Sequence, residues 1–268
     1  MIKLVEASAG YHARRRFASG SREDENIISN ISLSFERGAV SSIIGLNGSG
    51  KSTLAKLACG LIAASSGDVL IDGVEISSIK RRKLAQMVSY LPQAQSYANV
   101  PIEVLVMHGR FPHLGYPRVY REIDRQIAKK AMDDMDIWEL REKSLNEVSG
   151  GERQKAYFAM AMAQCTDAVF LDEPATFLDA PHQLDVIDHA KRLRAENKAV
   201  VMVSHDLNAA LECSDMVALM NRGRLMAFSP PNDILSSGLI EKTFGVEIVE
   251  FRNVCGDVHY AFKRRQLY

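Results

Sequence analysis

The chain has 268 residues, 47% hydrophobic and 25% charged, a balance that suits a soluble globular protein with a sizeable core. Lysine plus arginine and aspartate plus glutamate each number 33, so a net charge of zero argues against nucleic-acid binding through bulk positive charge. No apolar run approaches the ~18 residues needed to cross a bilayer. Met1-Ile2-Lys3-Leu4-Val5-Glu6 lacks the long apolar core of a signal peptide. Cys59, Cys165, Cys213 and Cys255 lie far apart with no C-x-x-C pair, which predicts buried thiols in a reducing, cytosolic setting.

Residues 2–7 alternate as a strand. Gly10-Tyr11 then opens a polar stretch from His12 to Asn26, where Arg14-Arg15-Arg16 precedes Glu23-Asp24-Glu25; it reads as an exposed loop or strand-turn extension. Ile31-Ser32-Leu33-Ser34-Phe35 alternates as a half-buried strand, and Val40-Ser41-Ser42-Ile43-Ile44 is a short buried one. A helix is predicted over 53–60, ending at Gly60. Ser66-Gly67-Asp68 reads as a turn before a strand over 69–73. Lys80-Arg81-Arg82-Lys83 is a solvated basic run at a helix start, and 88–93 is a strand stopped by Pro92. From 102 to 147 the periodicity turns helical without good strands, which predicts a helical insertion. Helices over 152–164, 182–197 and 207–212 then alternate with strands over 168–171 and 199–203. A hairpin joins 216–220 to 224–228 across Asn221-Arg222-Gly223, and a single helix over 232–244 precedes two short strands within 246–263. Alternating strands and helices predict an α/β fold with a mainly parallel sheet covered by helices. The expected division is a core over 2–230, with a helical subdomain at about 96–160 inside it, and a packed tail over 231–268.

Gly45-Leu46-Asn47-Gly48-Ser49-Gly50-Lys51-Ser52 fits the phosphate-loop pattern G-x-x-x-x-G-K-[ST] at every fixed position. Strand, glycine loop and helix in that order distinguish the match from a glycine-rich turn with an incidental lysine. The glycines let backbone N–H groups converge on phosphate oxygens, and the helix opened by Ser52 and Thr53 aims its positive end at the same place. Lys51 is predicted to reach the β- and γ-phosphates of a nucleoside triphosphate, and Ser52 to ligate Mg²⁺. Phe170-Leu171-Asp172-Glu173 sets two carboxylates at a strand end, where a doubly wound sheet carries its ligands. Asp172 there is the acidic metal partner of Ser52, and Glu173 is placed to polarise the attacking water. His205, after a second apolar strand, has two open readings: a γ-phosphate contact or a structural histidine. Val148-Ser149-Gly150-Gly151-Glu152 likewise reads either as an anion-binding N–H cluster or as a helix cap. Two phosphate-gripping loops beside one nucleotide site suggest that the second serves another chain.

The ordered set (residues 45–52, Gln93, 148–152, Leu171-Asp172-Glu173-Pro174, Leu178-Asp179 and His205) closely resembles the ATP-binding cassette (ABC) family of transport ATPases over about residues 2–230. The resemblance implies a phosphate-loop NTPase core with an N-terminal antiparallel β region and an inserted helical subdomain. It implies that two copies sandwich two ATP molecules, the loop of one facing Ser149, Gly150 and Gly151 of the other. Gln93 senses Mg²⁺ and couples to the membrane subunit; Glu173 is the general base, His205 the γ-phosphate switch, and Asp179 an interface residue. Tyr11 supplies the aromatic that stacks on adenine, with Phe17 as its competitor. Val148 stands where the family usually has Leu, and Ala175 where it often has Thr. Stretches 109–115, 176–186 and 204–208 look like the cassettes of iron–siderophore, heme and cobalamin importers. The partners implied are a second copy, separate integral membrane permease subunits and, indirectly, a substrate-binding protein, with no nucleic acid. The implied location is the cytoplasmic face of the cell membrane. Non-transport ABC ATPases, which usually carry two cassettes or long coiled-coil insertions, and a degenerate regulator are the alternatives. Intact Lys51, Asp172, Glu173 and His205 disfavour the regulator.

Overall fold

β1 (Ile2–Ala9) and β2 (Ile28–Phe35) pair antiparallel and bury alternate apolar residues, among them Ile2, Leu4, Ile31 and Phe35. β3 (Ala39–Gly45) runs into the glycine loop and α1 (Lys51–Ala58) runs out of it. β4 (Ser66–Ile71) takes the other edge of β1 and turns through Asp72-Gly73 into β5 (Val74–Glu75). The computed structural model that shows these elements describes residues 1–10, 26–93, 99–175, 179–252 and 258–264. Next come α2 (Arg81–Met87) and β6 (Val88–Leu91), then the helical stretch of α3 (Ile102–His108), α4 (Glu122–Asp133) and α5 (Gly150–Ala163). β7 (Ala168–Asp172), α6 (Ala180–Ala195), β8 (Ala199–Val203) and α7 (Leu207–Cys213) follow. The chain closes with the hairpin β9 (Met216–Asn221) and β10 (Arg224–Ser229), helices α8 (Pro231–Ser236) and α9 (Leu239–Phe244), and the hairpin β11 (Val246–Arg252) and β12 (Val258–Arg264).

Three expectations are corrected. Cys165 is exposed, not a buried thiol like Cys59 and Cys213, because it sits just past the end of α5. Residues 66–68 are not a turn but the first half of β4. Gly67 has φ +72° and lies so close to β1 that a Cβ there would stand 2.3 Å from the Glu6 carbonyl oxygen. The pairing slips between Val5 and Ser8, so this glycine marks a bulge. The single helix over 232–244 is two short helices, divided at Gly238 with φ +67°.

The large sheet has the order β10-β9-β3-β8-β7-β6, parallel from β9 to β6 with β10 antiparallel at one edge. Both faces of its central strands are covered, which explains the unbroken apolar runs over 168–171 and 199–203. Val169 and Leu171 of β7 face the helical side, with Met202 of β8; Phe170 and Val201 face the antiparallel sheet and α1. Phe170 meets Phe35 edge to face, with centroids 5.7 Å apart. A third cluster joins Ile44, Leu211 and Leu219 to Ile234 and Ile240, with Ile248, Tyr260 and Phe262 packed against it, so the closing helices and hairpin lie over α7 and β9.

An ion pair ties the helical stretch together. Arg110, just after α3, is buried, and its Nε donates to Oδ1 of fully buried Asp124 on α4 (3.1 Å) while Nη1 donates to the Ala163 carbonyl at the end of α5 (2.8 Å). Burial pushes the Asp124 carboxyl up, but hydrogen bonds from the Arg121 backbone, Arg110 and Arg121 outweigh it and leave the pKa lowered.

Candidate active site

Because β3, β8, β7 and β6 are neighbours and parallel, their C-terminal ends stand in one row. That row carries the glycine loop, His205, the two acids and Gln93, side by side. Gly50 holds φ +96°, and a Cβ there would lie 2.5 Å from Cγ2 of Ile28, so only glycine fits where the loop enters α1. Ser49 donates its N–H to the Leu46 carbonyl and accepts from the Gly223 N–H, both at 3.1 Å, which pins the loop against the β9–β10 turn. Its own hydroxyl is buried without a hydrogen-bond partner among the described residues. An orphaned hydroxyl beside the unpaired N–H groups of a helix start suits an anion.

Lys51 is buried, and its Nζ donates to the carbonyls of Gly45 (2.9 Å) and Leu46 (3.1 Å). Burial pushes its ammonium pKa down, and the nearby Glu173 and Asp172 pull it partly back. Ser52 donates its hydroxyl to Oδ1 of Asp172 at 3.0 Å, and the Tyr90 phenol donates to Oδ2 at 2.6 Å. Glu173 is 9% exposed and holds φ +53°, a left-handed conformation that costs a non-glycine residue of order 1–3 kcal/mol. Its N–H donates to the Val203 carbonyl at 3.0 Å, and its carboxylate takes the Gln93 amide on one oxygen and the His205 ring on the other. Asn47, Lys51, Ser52, Gln93, Glu173 and His205 are among the walls of one polar cleft of about 370 Å³. A second cavity, of about 430 Å³, lies behind Glu173 and His205 between α6 and α7; its mainly apolar wall does not suit phosphates.

Ser149 is the N-cap of α5. Its hydroxyl accepts from the Glu152 N–H (3.2 Å), and the Glu152 carboxylate accepts from the Ser149 N–H (2.8 Å), a complete capping box. That backbone bond, followed by the Ser149 hydroxyl contact, lowers the Glu152 pKa. The cap reading is the one these hydrogen bonds show; the Gly150 and Gly151 N–H groups stay in the first turn of α5 beside it. None of these residues lines the phosphate cleft. Gly151 instead abuts α6, where a Cβ would stand 2.6 Å from Nε2 of His182. Asp179 caps α6, accepts from the His182 N–H at 3.4 Å and also meets the His182 ring.

A family model described as ABC transporter matches residues 28–176. The chain is 36% identical over 225 residues to the petrobactin import ATP-binding protein FpuC of Bacillus anthracis, with 83% of each chain covered. The chain belongs to the ABC transporter family. It is also 32% identical over 227 residues to the iron(3+)-hydroxamate import ATP-binding protein FhuC of Bacillus subtilis (strain 168), covering 84% of each. In fold it matches a chain of an inward-facing ABC transporter described as of metal-chelate type, with a TM-score of 0.81 and 22% identity over 100% of this chain and 97% of that one.

In this cassette Tyr11 and Phe17 fall outside the described residues. Three site neighbours escaped the sequence reading: Tyr90 on Asp172, His182 beside Gly151, and Gln154 of α5, whose amide donates to the Pro174 carbonyl at 2.9 Å. Only Tyr90 left a trace, as a polar-tipped aromatic in a strand that ends beside Gln93.

Proposed function

We propose that this cassette hydrolyses ATP, working as a homodimer, to drive uptake of a ferric chelate through separate membrane permease subunits. The observation that carries the reading is the row of strand ends: Lys51 and Ser52, His205, Glu173 and Gln93 line one cleft, with Asp172 just beneath it on the Ser52 hydroxyl. The Ser52 hydroxyl and the Asp172 carboxylate, hard oxygens 3.0 Å apart, fit Mg²⁺, with Gln93 as a third donor. When bound, the ion neutralises charge on the β- and γ-phosphates. Lys51 and the N–H groups of the loop and the first turn of α1 hold the phosphate oxygens, and Thr53 adds its own N–H. Glu173 orients a water for in-line attack on the γ-phosphorus and takes its proton; His205, in contact with Glu173, steadies the developing charge. Ser149, Gly150 and Gly151 stand outside the cleft of their own chain, which favours their covering the phosphates of a second copy, with Asp179 at the same interface.

The permease subunits meet the helical stretch at about 96–160 in this reading, while 231–268 forms an appended unit and a substrate-binding protein acts beyond the membrane. Among the described residues no helix is long and apolar enough to cross a membrane, consistent with a peripheral position on its cytoplasmic face. The relatives' import of petrobactin and iron(3+)-hydroxamate supports a ferric chelate as cargo.

Glu173→Gln keeps the shape and removes the base. ATP binding is expected to persist while phosphate release, measured with the permease that co-purifies, drops by about 10²-fold or more. Turnover at the normal rate in that variant would remove Glu173 from its role. Radio-labelled ferric-chelate uptake in cells carrying the same variant tests the cargo.

A further inference from the structure

We propose that Tyr90 is a positioning residue for the metal site: its hydroxyl fixes the orientation of the Asp172 carboxylate, so that Asp172 and Ser52 present one preset pair of oxygens to the cation. The inference rests on the nucleotide-site reading above and adds a residue to it.

Asp172 is 3% exposed, and its carboxylate receives a different hydroxyl on each oxygen, Ser52 on Oδ1 and Tyr90 on Oδ2. The terminal torsion of an aspartate is broad, so a single donor leaves the plane of the carboxylate free to swing. Two donors on opposite oxygens set it. The two are not equivalent. Ser52 is itself a ligand candidate, and its side chain answers to whatever binds in the cleft. Tyr90 does not line that cleft, and its ring is half-buried against the core cluster shared with Phe170. It therefore holds its oxygen from the protein side.

The register produces this contact. Tyr90 pairs with Phe170 across the parallel β6–β7 ladder, and Asp172 lies two residues further along β7, on the same face. A long aromatic side chain spans that diagonal where a serine or valine would fall short. Three residues after Tyr90, Gln93 reaches Glu173, so this short strand and the turn that leaves it touch both acids. Outer-shell donors of this kind orient first-shell ligands, and their loss typically weakens metal binding by about 10–100-fold.

Tyr90→Phe removes the hydroxyl and keeps the ring. With the full-length chain and a non-hydrolysable ATP analogue, Mn²⁺ binding followed by electron paramagnetic resonance is expected to weaken about tenfold and its spectrum to broaden. Affinity for the analogue in EDTA should match the parent chain, which also shows the variant to be folded. Phosphate release should need about tenfold more Mg²⁺ to reach half its maximum and recover at saturation. Unchanged Mn²⁺ affinity and spectrum in Tyr90→Phe, with the parent chain binding Mn²⁺, would overturn the proposal alone. Lost analogue binding in EDTA would also overturn it, by making the hydroxyl a determinant of fold or nucleotide. A parent chain whose analogue affinity ignores both Mg²⁺ and Mn²⁺ would overturn the underlying reading as well.

Discussion

A side chain at position 151 has nowhere to go without moving the His182 ring, whose nearest atom would be 2.6 Å from the added methyl. That ring also meets Asp179 at the cap of α6, so the disturbance passes from one interface candidate to another. Gly151→Ala should leave binding of a fluorescent ATP analogue to the single chain unchanged, because residues 45–52 are untouched. The same substitution should cut steady-state phosphate release by about tenfold or more, since small misplacements of positioning groups carry costs of that order. Equal losses in both measurements would place Gly151 in the folding of the chain instead.

Among elements, one buried ion pair joins α3, α4 and α5 of the helical stretch. Removing a partner from such a pair costs about 3–5 kcal/mol, because the other charge stays buried. Asp124→Ala should therefore lower the stability measured by urea unfolding by about that much. The pH dependence follows from the lowered pKa of Asp124. The unfolded chain takes up the proton first as pH falls, so the contribution is whole above the ordinary aspartate value of about 3.9 and drains away as pH drops through the lower folded value. In Asp124→Asn that part of the acid sensitivity should vanish from the unfolding curve. This pair was not legible in the sequence, whereas the elements it joins largely were. Helix and strand periods are local, and motifs such as 45–52 and 171–174 keep their chemistry within a few residues. Arg110 to Ala163, Tyr90 to Asp172 and Gly67 against Glu6 are set by packing and register across the chain, which no local period records. The division of 232–244 was missed for a related reason: Gly238 looks tolerable inside a helix until its φ is known.

For the whole molecule, the separation of residues 149–151 from the phosphate cleft makes association the measurable event. Glu173→Gln protein saturated with ATP should double its mass in light scattering and return to the single-chain mass when ATP is removed. A chain that stays monomeric under those conditions would leave Ser149, Gly150 and Gly151 as a cap for α5 and nothing more.

The row of strand ends also has an outer member. β6 closes the order of the large sheet, so among the described strands it is laddered to β7 on one side only. Beyond that ladder its backbone takes the Gln164 amide, which donates to the Val88 carbonyl at 3.2 Å, where β7 and β8 each carry a strand on both flanks. The strand whose Tyr90 holds Asp172, and whose outgoing turn carries Gln93 to Glu173, is thus the one of the cleft's strands that is paired to another strand on one flank only. The two acids of the cleft therefore take their outermost support from the sheet's margin, through Tyr90 and Gln93.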